Sequence, residues 1–113
     1  MSRPSAGLAR LDHAAPLFAA LGDETRLALV ARLCAGGPQS ITRLATGFAV
    51  TRQDITKHLT VLAGAGLVSD VRRGRERIWT IETGEVDEAR RYLEHISQQW
   101  DEALDRLKTF VEE

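Results

Sequence analysis

Gln53, Thr56, Lys57 and Thr60 recur at intervals that bring all four to one side of a helix, and each is a residue type that can meet DNA. A glutamine can bond an adenine edge at two points, a threonine can touch a base or a thymine methyl, and a lysine meets phosphate. Ile55, Leu59 and Leu62 form a narrow apolar stripe on the opposite side. The segment 51–62, TRQDITKHLTVL, therefore predicts a short helix that packs by one face and presents the other. Thr51 is placed to cap it, and Asp54 three residues on completes a capping-box pattern. His58 lies beside the stripe, where a contact with Asp54 and a contact with phosphate are equally open readings. A solvated amphipathic helix would show the same window. Its flanks decide between the two.

Upstream, residues 40–48 read SITRLATGF, with Ser40 as N-cap and Ile41, Leu44, Ala45 and Phe48 at the spacing of a buried stripe. Only residues 47–50 separate this second short helix from Thr51, which is the arrangement of a helix-turn-helix. Downstream, Gly64 and Gly66 stop the helix, and the β-rich runs 67–72 and 76–81 follow around Arg73, Gly74 and Arg75. This hairpin, or wing, carries Arg72, Arg73, Arg75 and Arg77 at its tip with Glu76 interrupting, a concentration suited to phosphate or a minor groove. The candidate DNA-contacting set is Ser40, Thr51, Arg52, Gln53, Thr56, Lys57, His58 and Thr60 with the four wing arginines.

The elements that must position this set fit one domain. The chain has 113 residues, 43% of them hydrophobic, and its net charge of −1 hides a strong asymmetry. Residues 1–39 carry +1, 40–80 carry +4 and 81–113 carry −6, so the positive segment is the one proposed to touch DNA. Residues 1–10 read as a loosely held arm before a single domain over 11–113. Asp23 is expected to cap a helix with Glu24 in its first turn, and Leu27, Val30 and Cys34 to form that helix's core stripe. Gly36, Gly37 and Pro38 mark a loop. No apolar run approaches a membrane span, and MSRPSAGLAR lacks a secretory signal, so the expected location is cytoplasmic.

From about Glu85 to Val111 the sequence predicts one helix near 40 Å long. Ala89, Leu93, Ile96, Trp100, Ala103, Leu104, Leu107 and Val111 recur close to a heptad seam, joined by Tyr92 and Phe110. The alternatives are a helix folded back on its own core and a helix paired with a second copy. Pairing is favoured because Trp100 and Phe110 stand so far along it. The expected interface is Leu93, Ile96, Trp100, Leu104, Leu107 and Val111, with Leu17, Phe18 and Leu21 of the N-terminal helix.

The chain resembles the ArsR-like winged helix-turn-helix transcriptional regulators. The resemblance covers roughly residues 12–111 and rests on LFAALGDETRLALVARL at 17–33, TRQDITKHLTVLAGAGLV at 51–68 and RRGRERIWTI at 72–81. It implies a mainly α dimer with a small β-hairpin and a long C-terminal helix, in which 52, 53 and 56–58 lie on or beside the recognition surface. It further implies a DNA-binding regulator, most simply a repressor at an inverted repeat. Ala49 departs from the pattern, which usually has glycine there, so the turn backbone is expected to differ.

Metal sensing, common in that family, finds few ligands. Cys34, His13, His58 and His95 do not assemble by spacing, and SITRLAT supplies no thiol. Asp87 matches the first position of the family's other metal site, but Ala89, Trp100 and Ala103 stand where its remaining ligands would be. Cys34 reads as a small buried core residue. His95 neighbours the seam. No Gly-rich phosphate loop, nucleophile elbow or grouped acid and base supports an enzyme. The expectation is no metal, no cofactor and no catalysis. The resemblance is to a subgroup without metal ligands, for which a small organic ligand, a partner protein or no effector at all are open. Two other uses of the same residues are a winged helix serving protein association only, and a metal-responsive repressor with a non-standard site.

Overall fold

Side-chain caps set the helix starts. Asp23 accepts from the Arg26 amide at 2.9 Å and opens α2 (Glu24–Gly36), with Glu24 in its first turn as expected. Ser40 accepts from the Arg43 amide at 3.3 Å and opens α3 (Ile41–Leu44). Thr51 accepts from the Asp54 amide at 3.1 Å and opens α4 (Arg52–Gly64). Only this half of the expected capping box forms among the described residues, since the Asp54 carboxylate makes no return bond.

The computed structural model describes residues 6–112. Their order is α1 (Ala6–Leu21), α2, β1 (Gln39–Ser40), α3, α4, β2 (Val68–Arg73), β3 (Glu76–Ile81) and α5 (Thr83–Glu112). The first five residues of the expected arm lie outside the described residues, while 6–10 belong to α1. Ser40 is both the α3 cap and the end of a strand that composition does not reveal: β1 pairs antiparallel with β3 through Gln39 to Trp79 and Ser40 to Ile78. The sheet order is β1-β3-β2, so the wing hairpin is rooted beside the start of the helix-turn-helix.

The core gathers one face from each element. Leu17 and Ala20 of α1, Leu29 and Leu33 of α2, Leu44, the α4 stripe Ile55, Leu59 and Leu62, then Leu67, Val68, Trp79 and Ala89 are all buried. The α4 stripe is fully enclosed, as its periodicity requires. In α2 the stripe differs from expectation: Leu29 and Leu33 face inward, Val30 packs partly against them, and Leu27 and Cys34 are exposed. Cys34 is thus not a core residue of this chain.

The helix expected over residues 40–48 is also shorter than expected, as α3. It ends at Leu44, and the buried side chains of the expected stripe continue through a turn to Phe48. Arg32 of α2 holds that turn. Its guanidinium donates to the Leu44 carbonyl at 2.8 Å and to the Thr46 carbonyl, and lies 4.3 Å from the Phe48 ring centroid. The left-handed backbone in the turn falls on Gly47, at φ +86°, and Ala49 does not adopt it.

α5 has two parts. Its first two turns fold onto the core through Val86 and buried Ala89, and Tyr92 meets Phe18 with ring centroids 5.7 Å apart. Ala89 therefore belongs to the chain's own core and not to a free seam. Leu17 is likewise enclosed within the chain, at 2% exposure, and Phe18 and Leu21 are partly packed against the same core, so α1 offers a partner less than expected. Beyond Tyr92, the helix leaves the domain with Leu93, Trp100, Leu104, Leu107, Phe110 and Val111 exposed. The Cα radius of gyration is 18.4 Å, against about 13 Å for a compact chain of this length.

Candidate nucleic-acid interface

The start of α4, the start of α3 and the base of the wing enclose a groove of about 330 Å³. Arg52, Gln53 and Thr56 line it from α4, Ser40, Ile41 and Thr42 from the preceding strand and helix, and Arg75, Glu76 and Arg77 from the wing. Six of the sequence-derived candidates, Ser40, Arg52, Gln53, Thr56, Arg75 and Arg77, line it, so the fold brings the two halves of the expected surface together. An α4 that projects beside such a groove is the shape a major groove about 12 Å wide admits.

Within α4 the candidates divide by what their side chains already do. Gln53 and Lys57 are exposed and have no intrachain partner among the described residues. Arg52 donates from Nη2 to the Thr42 hydroxyl at 2.6 Å, which ties the helix start across the turn to α3. Thr56 and Thr60 donate their hydroxyls back to the Arg52 and Thr56 carbonyls at 2.9 and 2.8 Å. Their donors are therefore spent within the helix, and what they offer outward is a methyl group and acceptor capacity. Thr51 is occupied as the cap.

His58 is placed differently from both expectations. Its ring is half-buried and turned to α2, with Nδ1 3.3 Å from Arg26 Nη1 and 3.7 Å from Asp23 Oδ2. Asp54 is not its partner, and the ring is directed away from the Gln53 side. The bond from the Arg26 amide, then the charge of Arg26 and, once its ring is protonated, that of His58, hold Asp23 below the usual aspartate range.

The wing turn is two residues long, with Gly74 at φ +61° and strands in register from Val68–Ile81 to Arg73–Glu76. Arg72, Arg73 and Arg75 are exposed at its tip and form no ion pair among the described residues. Arg77 differs: it donates to Asp70 across the strands at 2.7 Å and lies 5.0 Å from the Trp79 ring centroid, so its charge already has a partner within the chain. Free cations at Arg72, Arg73 and Arg75, with Lys57 nearby in sequence to the α4 surface, leave this end of the molecule positive. α5 carries the acidic excess elsewhere.

Arg26 and Arg32 were not among the sequence-derived candidates. The available signal was a pair of arginines within the largely apolar run of α2. Among the described residues no three of His, Cys, Asp and Glu are gathered to hold a metal ion, and no helix is long and apolar enough to cross a membrane.

Residues 21–71 match the family model of a helix-turn-helix domain. Over 68 residues the chain is 40% identical to the uncharacterized HTH-type transcriptional regulator YuzN of Bacillus subtilis (strain 168), spanning 55% of this chain and 74% of that protein. Its structure is similar to that of an ArsR-like transcriptional regulator from Rhodococcus sp. RHA1, with a TM-score of 0.71 and 39% identity over 88% of this chain and 93% of the other. It is also similar to the homodimeric winged helix-turn-helix domain of Mb0332 from Mycobacterium bovis, a possible ArsR-family regulator. That match has a TM-score of 0.64 and 26% identity, covering 93% of this chain and 94% of the other.

Proposed function

Since the chain belongs to the ArsR-like helix-turn-helix transcriptional regulators, we propose that it is a homodimeric, sequence-specific DNA-binding protein of the cytoplasm that represses transcription from an inverted repeat. The observation that carries this reading is one groove lined by unpartnered Gln53 of α4 and unpaired Arg75 of the wing, with Lys57, Arg72 and Arg73 exposed on the same two elements. The cations supply affinity by neutralising phosphates, which is blind to sequence. Gln53, with Arg52 and the methyl face of Thr56, supplies base discrimination, each good contact being worth about 1 to 3 kcal/mol.

A second copy supplies the other half of the operator. The apolar seam of α5 beyond Tyr92 is the proposed interface: Leu93, Ile96, Trp100, Leu104, Leu107 and Val111. The homodimeric state of the Mb0332 domain supports this arrangement. Two recognition helices about 34 Å apart would then meet successive turns of one duplex face.

Parallel binding measurements on Gln53→Ala and Arg75→Ala test the division of roles. The first is expected to relax preference at one operator position. The second weakens all sequences alike and lowers the salt slope by about one. Equal, sequence-blind losses from both would falsify it.

A further inference from the structure

Arg26 joins three elements, α1, α2 and α4. Its Nε donates to the Ala20 carbonyl at 2.5 Å, in the last turn of α1. Its amide donates to Asp23, the cap of α2, and its Nη1 lies 3.3 Å from His58 Nδ1 on the recognition helix. Arginine has donors and no acceptor, so this contact requires a lone pair on Nδ1. The ring is then neutral, with its proton on Nε2.

A proton added to His58 must go to Nδ1, where it confronts the Arg26 guanidinium. The alternative partner is already beside it: Asp23 Oδ2, at 3.7 Å, is 0.4 Å farther than Arg26. A hydrogen bond of about 2.8 Å to that oxygen needs the ring to move by about 1 Å. The charged groups facing the ring among the described residues are Asp23 and Arg26 of α2. On its own helix Asp54 stands one turn away and Lys57 adjoins it, and α1 contributes only the Ala20 carbonyl through Arg26.

We infer that Arg26 is a positioning residue for DNA recognition: through neutral His58 it fixes the recognition helix against the α1–α2 corner, and protonation of His58 exchanges Arg26 for Asp23 and loosens that setting. The inference rests on the DNA-binding reading above and concerns how its specificity is regulated. A protonated ring also adds a positive charge that favours any duplex. The quantity to follow is therefore the ratio of specific to non-specific affinity, not affinity itself.

The test compares binding to the duplex upstream of the protein's own coding sequence with binding to a scrambled duplex of equal length, at about pH 8 and about pH 5.8, the span over which histidine side chains take up a proton. Ionic strength is held constant. For the parent protein the ratio is expected to fall about fivefold to tenfold at the lower pH, the loss of one partly exposed, charge-assisted bond. His58→Gln keeps an acceptor for Arg26 but takes up no proton, and its ratio should change less than twofold. Arg26→Met should give a low ratio at both pH values. A pH-independent parent ratio, or an undiminished fall in His58→Gln, overturns the inference even if Arg26→Met fails to fold. Absence of any sequence preference in the parent at pH 8 overturns the DNA-binding reading, and the inference with it.

Discussion

Replacing Arg32 with Met keeps the unbranched stem and removes the fork that holds the helix-turn-helix corner. The parent guanidinium donates to the carbonyls of Leu44 and Thr46 and lies over Phe48 at 4.3 Å. A four-residue α3 has too few internal hydrogen bonds to hold its own C-terminal end, so these contacts terminate it. A bond from a charged donor contributes about 1.5 to 3 kcal/mol, and the cation–π contact about 0.5 to 1 kcal/mol. Both carbonyl bonds come from one nitrogen of a half-buried side chain, so they do not add fully. The expected loss is about 2 to 3 kcal/mol. At about 4 °C per kcal/mol for a domain of this size, Tm should fall by about 8 to 12 °C. Circular dichroism at one fixed protomer concentration measures it, because self-association would otherwise shift the midpoint. Arg32→Lys should recover about half, since an ammonium can reach one carbonyl but has no flat face for Phe48. A fall under about 2 °C for Met, or full recovery by Lys, would refute the clasp.

Two further outcomes follow from the same geometry. Asp23 is held below the usual aspartate range in the folded chain, chiefly by the Arg26 amide, so it stabilises the fold above the unfolded-state value near 4. That contribution is lost as pH falls through about 4 and below. Asn caps as well but does not titrate, so Asp23→Asn should flatten the dependence of the urea midpoint on pH between about 5 and 3; an unchanged slope would count against the assignment. On α5, Trp100 is 64% exposed and Leu107 59% exposed in the single chain, so Trp100→Glu with Leu107→Glu should cost the protomer little. Sedimentation should show monomers of unchanged helicity, whereas dimers that persist would place the interface elsewhere.

The recognition helix was legible because its apolar period and its burial coincide: Ile55, Leu59 and Leu62 are all fully enclosed. The same signal misled at α3, since periodicity reports which side chains are buried and not where the backbone stops being helical; Phe48 keeps its place in the stripe after the helix has ended. In α2 apolar residues occur on more than one face, so Leu27, Val30 and Cys34 looked as good a stripe as Leu29 and Leu33, and only packing against α1, α4 and β3 chose between them. A two-residue strand such as β1 has no periodicity to read. His58 and Arg26 are 32 positions apart, and nothing in either local segment announces that contact. The surplus apolar length of α5 was visible, but its division at Tyr92 depends on where α1 lies.

The central claim is that the α4–wing surface binds DNA in a sequence-dependent way, and a salt titration of binding to the protein's own upstream duplex and its scrambled counterpart tests it most directly. A dimer making about 6 to 10 phosphate contacts should give a log–log slope of about −5 to −9, with the upstream duplex preferred throughout. No binding at low salt, or equal binding to both duplexes, would contradict the claim and leave the exposed seam of α5 as the working surface.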